Sequence, residues 1–319
     1  MAAHYEDLGH GVYCIDTDLY RPQMAACYLV REGDAVAFVD TGTYHTVPQL
    51  LAVLAVLGLS ADNVRYVIPT HVHLDHAGGA GELMARCPNA TLIVHPKGAA
   101  HLIDPSKLQA GATAVYGAEG FAKDYGKLVP VPAERVIAAS DGYTVDLNGR
   151  CLTFYDTPGH ANHHGCIFDA NSRYCFTGDT FGICYREFVT AKGAWIFAPT
   201  TPVAFSPNEW QQSLDKLAAL QPAAMLLTHY GRVTDVLGLL PKLRASIETL
   251  SNLALTLRNA PEGRVDALKT QIFLTWLEEI DKHGADLPER DSRELLRIDA
   301  TLNAQGLDVW LKRLEKAKT

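Results

Sequence analysis

His71-Val72-His73-Leu74-Asp75-His76 stands directly after an apolar run, residues 64–70, and directly before Gly78, Gly79 and Gly81. A β-branched, apolar run that ends in polar residues and then glycine reads as a strand, a loop and a helix start. The reading puts three histidines and a carboxylate at the carboxyl end of a strand, the rim where open α/β sheets carry their chemistry. His71 and His73 alternate, so an extended backbone points both to one side. Asp75 and His76 follow where the chain turns into the helix. Such a loop can serve two neighbouring ions, His71 and His73 on one, Asp75 and His76 on the other. Each ion then needs further nitrogen or oxygen ligands from elsewhere in the chain.

Outward from this stretch, residues 11–16, 25–31 and 35–39 read as antiparallel strands, with Glu32-Gly33-Asp34 as the last turn. A helix over about 45–57 stops at Gly58. Downstream come a helix over 79–86 and a strand over 91–94. Residues 96–127 are less regular and read either as a substrate-facing insertion or as a helical surface excursion. Residues 143–147 and 151–156 flank Asn148-Gly149, a two-residue hairpin signal, and 166–168 with 173–177 flank Asn171-Ser172 in the same way. Ser206-Pro207-Asn208-Glu209 reads as a capping box that opens a helix to about 220, followed by a strand over 223–228. After 235 the pattern changes to four or so amphipathic helices, with breaks at 260–263, 284–288 and Gly306. The fold class is therefore α/β, with a domain over 1–234 and a helical extension over 235–319.

The 319 residues are 48% hydrophobic and 20% charged, an ordinary globular composition, and carry no internal repeat. A net charge of −8 without a basic block argues against a nucleic-acid partner. The modest cluster at 312–318 alternates with apolar residues and reads as a solvated helix face. Seven cysteines, an odd number without C-x-x-C spacing, read as reduced core thiols and suit the cytoplasm. The start of the chain lacks the basic and apolar regions of a signal peptide. No apolar stretch approaches the ~20 residues of a membrane span.

Three further residues stand where ligands are needed. His160 follows Thr157-Pro158-Gly159, Asp179 follows Thr177-Gly178, and His229 follows Thr228, each behind a strand-like run. Together with Val39-Asp40-Thr41-Gly42 and Thr70-His71-Val72-His73-Leu74-Asp75-His76-Ala77-Gly78-Gly79, these motifs occur in order over residues 10–232. In this combination the sequence resembles the metallo-β-lactamase superfamily of hydrolases, and the helical tail lies outside the common fold.

The resemblance implies a four-layer αβ/βα sandwich and a site of two divalent metal ions, zinc first, with iron or manganese as alternatives. It places His71, His73 and His160 on one metal and Asp75, His76 and His229 on the other, with Asp179 bridging. Asp40 would stand behind the ligands and fix a histidine tautomer. Two ions about 3.5–4 Å apart can share a hydroxide that attacks a carbonyl or phosphoryl centre. Asp75 would help move the proton, and Tyr185 or Tyr230 could donate a phenolic one. His163 and His164 occupy no motif position; His164 is carried as a group behind the ligands. Trp195, Phe197 and Phe205 are pocket wall or core, and His95 and His101 read as structural.

The expected function is hydrolysis of an ester, thioester, lactone or amide of a small molecule by a dinuclear centre. The alternative is a mononuclear iron dioxygenase acting on a persulfide, since members of that type keep much the same histidine motif. A flavodiiron-type oxidoreductase would replace parts of the motif with Glu, and His76 argues against it. The tail helices wall the pocket or form a homodimer interface, the dimer being preferred. The substrate is not legible, because specificity lives in loops.

Overall fold

The computed structural model describes residues 4–201, 203–259 and 262–317. The chain divides into two compact units. The first is Met1–Asp156, His163–Gly178 and Pro222–Arg232; the second is Thr157–Asn162, Asp179–Gln221 and Val233–Thr319.

Two mixed sheets form the first unit. One has seven strands in sequence order: β1 (Tyr5–Asp7), β2 (Val12–Asp16), β3 (Ala26–Glu32), β4 (Ala35–Val39), β5 (Val64–Ile68), β6 (Thr91–Val94) and β7 (Val136–Ala138). Pairing is antiparallel as far as β4 and parallel from β4 to β7. The switch follows from the connections. A three-residue offset joins β3 to β4, whereas helices Val47–Val56 and Ala80–Arg86 supply the crossovers that parallel neighbours need. The all-apolar strand Ala35–Val39 is buried at every residue, as a strand covered on both faces requires.

The other sheet contains β8 (Tyr143–Leu147), β9 (Arg150–Asp156), β10 (Gly165–Asp169), β11 (Tyr174–Gly178), β12 (Ala224–Leu227) and β13 (Gly231–Val233), in the order β13-β12-β11-β10-β9-β8. The Asn148-Gly149 turn, with both residues at positive φ, joins β8 to β9 as expected. The inward faces of the sheets meet in one core that includes Val12, Tyr28, Val39, Ile68, Leu152, Phe154, Phe176 and Leu226. A second core lies between the outer face of the first sheet and its helices, built from Phe38, Leu50, Leu54, Val67, Leu83 and Leu92. Two mixed sheets face to face with flanking helices make the expected α/β sandwich.

In the second unit, helix Pro207–Ala219 precedes four C-terminal helices: Val236–Thr256, Arg264–His283, Glu289–Leu295 and Arg297–Lys316. Leu243, Ile247, Ile272, Trp276, Leu307 and Leu311 are buried there. No strand occurs after Val233 among the described residues. The break at 260–263 falls between the first two of these helices, although Ala260 and Pro261 are outside the described residues. Lys318, from the basic cluster, is also outside them, as are the first three residues of the chain.

One of the two readings of residues 96–127, the helical one, agrees with the structure, and three other expectations change. Residues 96–127 are largely helical, as Pro96–Ile103 and Ser106–Asp124, with a kink at Gly117. The connection at Asn171-Ser172 is four residues long rather than two. The Asp169 carboxylate accepts from the Asn171 and Ser172 backbone amides (3.1 and 3.2 Å) and so builds its own turn. Ser206 makes no side-chain cap, so Pro207 at the helix start acts without the expected box. Gly306 lies inside a helix, not at a break. An added Cβ there would run into the Thr200 carbonyl oxygen, so this glycine permits a close backbone approach.

None of the seven cysteines is in a disulfide, and all but Cys151 are buried. No helix of the described residues is long and apolar enough to cross a membrane.

Candidate metal centre

The motif begins where β5 ends. His71 follows in a bend, His73 lies on extended backbone, and a single helical turn, Leu74–Ala77, then carries Asp75 and His76. This loop is locked to the one after β4. Thr41 N donates to the His76 carbonyl (2.7 Å), and Gly79 N donates to the Gly42 carbonyl (2.9 Å). A Cβ at Gly79 would lie 2.7 Å from both the Thr41 and Thr43 carbonyl oxygens, so glycine is what lets the two loops touch.

Asp40, at the end of β4, is buried at positive φ. Its carboxylate accepts from Thr70 N (2.7 Å), Thr70 Oγ1 (2.9 Å), Thr228 Oγ1 (2.7 Å) and His76 Nδ1 (2.8 Å). Thr70 belongs to one sheet's rim and Thr228 to the other's, so one carboxylate joins both sheets beneath the motif. The bond to His76 places the proton on Nδ1 and leaves Nε2 as the ligand atom. His229 is held in the same way, with Nδ1 donating to the Met24 carbonyl (2.8 Å).

The Nε2 atoms of His76 and His229 converge on Asp75. His229 Nε2 lies 3.2 Å and His76 Nε2 3.7 Å from Asp75 Oδ2. One donor atom each from Asp75, His76 and His229 falls within 4.8 Å of the others. Two imidazole nitrogens and a carboxylate oxygen, each histidine tied back at its far nitrogen, fit a divalent cation of the zinc type.

His71 is fixed through Thr70. Because the Thr70 hydroxyl donates its one proton to Asp40, it accepts from His71 Nδ1 at 3.2 Å. His71 Nε2 is then left facing His73 Nδ1 at 2.8 Å. His164 is buried and stacks on His71 with ring centroids 4.7 Å apart. His163 lies at the edge of His73 (5.7 Å) and of His101 (6.4 Å). His95 is structural. Its Nδ1 accepts from Lys97 N and caps helix Pro96–Ile103, and burial lowers its pKa against the opposing pull of Asp156.

In the second unit, His160 repeats the same device. Its Nδ1 donates to the Pro199 carbonyl (2.8 Å), and Nε2 lies 3.3 Å from Asp179 Oδ2. The Tyr185 hydroxyl donates to the Asp299 carboxylate at 3.1 Å. Trp195, Phe197 and Phe205 are buried. Phe197 stands between Trp195 (5.0 Å) and Trp276 (4.5 Å), and Phe205 packs on Trp310 (5.5 Å), so all three are core of this unit. Tyr230, in the first unit, packs into the core between the sheets.

Sequence reasoning missed the supports: Thr70, Thr228 and the carbonyls of Met24 and Pro199. The two threonines carried a signal, since each directly precedes a motif histidine at a strand end. The carbonyls carried none, because any residue type supplies one.

Comparison with known proteins agrees with the fold. The chain is 25% identical over 217 residues to a metallo-beta-lactamase fold-containing protein of Sulfurisphaera tokodaii, covering 67% of this chain and 75% of that one. It is 28% identical over 153 residues to a thioesterase of Emericella nidulans, covering 48% of this chain but only 34% of the relative. The crystal structure of a metallo-beta-lactamase family protein from Thermus thermophilus superposes with a TM-score of 0.67 at 21% identity, over 97% of this chain and 95% of that one. The sequence profile of the metallo-beta-lactamase superfamily matches residues 20–229, a span that includes every motif residue from Asp40 to His229. The chain belongs to the metallo-beta-lactamase superfamily.

Proposed function

We propose that this chain is a dinuclear metal-dependent hydrolase cleaving an ester, thioester, lactone or amide bond of a small molecule. The observation that carries the reading is the Asp75, His76 and His229 group, whose imidazoles are anchored through Nδ1 while Nε2 and a carboxylate oxygen converge. On the pattern of the motifs, His71, His73 and His160 are assigned to the other ion, and Asp179 is shared. Zinc is the first choice of metal. Two such ions, when bound, supply a nucleophile from water near neutral pH and polarise the scissile carbonyl.

The chain's own residues do the rest. Asp40 keeps His76 in one tautomer and raises its basicity as a ligand. Asp75 takes up the proton of the attacking water. The Tyr185 hydroxyl is already committed to Asp299, and Tyr230 packs into the core between the sheets, so neither phenol is assigned a part in the reaction. Among the bond types the thioester has the most support, from the relative named as a thioesterase. We place the enzyme in the cytoplasm as a homodimer without a nucleic-acid partner; the mass in solution tests the dimer.

The test is metal analysis followed by a panel of lactones, thioesters, aryl esters and phosphodiesters. Two zinc ions per chain and turnover of a carbonyl substrate are expected. One iron per chain with oxygen consumed on a persulfide would replace hydrolysis by the dioxygenase reading. The His160→Ala variant should lose turnover while its circular dichroism is retained; full activity in that variant would undo the ligand assignment.

A further inference from the structure

Next to the Asp75 group, three tyrosines from two separate segments meet. Residues 17–24 link β2 to β3 in a loop built on the buried Asp16 carboxylate, which accepts from Asp18 N (3.1 Å) and Gln23 N (2.8 Å). Thr17 closes the base through its amide and hydroxyl, both donating to the Ala25 carbonyl. Within the loop Asp18, Tyr20 and Gln23 all have positive φ, at 54°, 56° and 57°. Non-glycine residues adopt this conformation rarely, and such strain gathers at working sites. Here it leaves Tyr20 45% exposed. The same loop ends in Met24, whose carbonyl holds His229.

The second segment is helix Ser106–Asp124 with Tyr125 after it. Tyr125 is buried with Phe121 against Leu74, the residue between His73 and Asp75. The Tyr125 and Tyr20 hydroxyls are hydrogen-bonded at 3.0 Å, which fixes the Tyr20 ring at its tip. The Tyr116 ring lies 5.2 Å from Tyr125 and is 40% exposed, and its neighbour Val115 is 70% exposed. Burial pushes the Tyr20 phenol up to about 12 and the Tyr125 phenol higher still, with the Asp75 carboxylate adding to both. The Tyr20 and Tyr125 phenols therefore stay uncharged at physiological pH.

We propose that Tyr20 and Tyr116, braced on Tyr125, form the recognition wall for the acyl part of the substrate, and that this part carries an aromatic ring. Exposed tyrosine faces reward a flat apolar group, and an apolar wall beside a few convergent polar atoms is the usual build of a small-molecule site. The inference rests on the hydrolase reading for the reaction and adds the substrate class to it. Elsewhere on the chain, Tyr5 on β1 is 36% exposed and stands against Tyr13, and serves as a control.

The experiment measures binding by calorimetry, with phenylacetate and acetate as probes of the acyl product, on the full-length zinc-loaded protein. Phenylacetate should bind about tenfold or more tightly than acetate. Tyr20→Ala and Tyr116→Ala should each remove most of that preference, and Tyr5→Ala none of it. Equal binding of the two acids by the wild type, or a preference that survives both wall variants, overturns the proposal. Phenylacetyl and acetyl thioesters of one thiol separate it from the reading of the reaction. If neither is cleaved while the Tyr20-dependent preference persists, hydrolysis is wrong and the wall stands. If both are cleaved with the same kcat/KM, unchanged in Tyr20→Ala, the wall is wrong and hydrolysis stands.

Discussion

Asp40 and Asp169 are both fully buried, both sit at strand ends of the first unit, and both accept several hydrogen bonds, yet they do different work. Asp169 faces a cation. Arg150, itself buried, donates to it from Nε at 3.0 Å and from Nη2, and spends Nη1 on the carbonyls of His10 (2.7 Å) and Arg31 (3.2 Å). The rest of Asp169 is used on its own turn, through the Asn171 and Ser172 amides and the Ser172 hydroxyl. The donors to Asp40 are of another kind. It accepts from one amide, two threonine hydroxyls and an imidazole whose other nitrogen faces Asp75. A buried carboxylate neutralised by arginine ties strands together. One that meets neutral donors and a histidine passes its charge on to that histidine.

The strongest way to break this contrast is to remove each carboxylate in turn. Asp169→Asn leaves buried Arg150 with the half-exposed Glu32 carboxylate, 3.7 Å from Nη1, in place of its buried partner, and removing one partner of a buried pair costs about 3–5 kcal/mol. Denaturant melts should show that loss, while the folded fraction binds metal as the wild type does. Asp40→Asn should act the other way. Losing a carboxylate behind a ligand histidine typically costs about 10–100-fold in metal affinity, with only about 1–2 kcal/mol of metal-free stability lost. A competition titration with a chelator reads the first and urea melts read the second. Equal stability losses with unchanged metal affinity would make Asp40 another strand tie.

Acid sharpens the same comparison with a smaller effect. Burial pushes the Asp169 carboxyl up, but the bonds from Arg150 and Ser172 outweigh it and hold the group below the usual carboxylate range. An unfolded aspartate titrates near ~3.9. The contribution of Asp169 is therefore complete above about pH 4 and is lost as pH falls through the lower folded value. The metal-free wild type should lose stability steeply below about pH 4, and Asp169→Asn should show a flatter acid limb. Identical slopes would mean that Asp169 is not what acid titrates.

The contrast also marks what a single sequence exposes. Asp40 was legible because it stands in Val39-Asp40-Thr41-Gly42, at a strand end that the motif order ties to His76. The ligand histidines were legible for the same reason: each follows an apolar run whose alternation fixes where the strand stops. Asp169 was not, since its partner Arg150 is 19 residues away, and nothing in the chain announces which arginine will be buried. Gly306 was read as a breaker because glycine's common effect on a helix is to end it, whereas here the helix needs the missing Cβ to pass Thr200. Tyr20 and Tyr125 escaped notice for a similar reason. Their pairing joins positions 105 residues apart, and neither lies in a motif.

The finest probe deletes one hydroxyl from each carboxylate. Ser172→Ala removes one donor from Asp169, and Thr228→Val removes one from Asp40 with little change of shape. A single buried hydrogen bond contributes about 1 kcal/mol net, so both variants should lose about that much in urea melts. Only their metal affinities should differ. With Ser172 gone, Asp169 keeps Arg150, and nothing near the histidines changes. With Thr228 gone, Asp40 keeps Thr70 and His76, but the rim of β12 loses its tie to the motif loop, and His229 is the next residue along. A several-fold weaker metal titration in Thr228→Val, against none in Ser172→Ala, is the expected pair of results. The same titration in both would show that the two aspartates differ in their neighbours but not in their work.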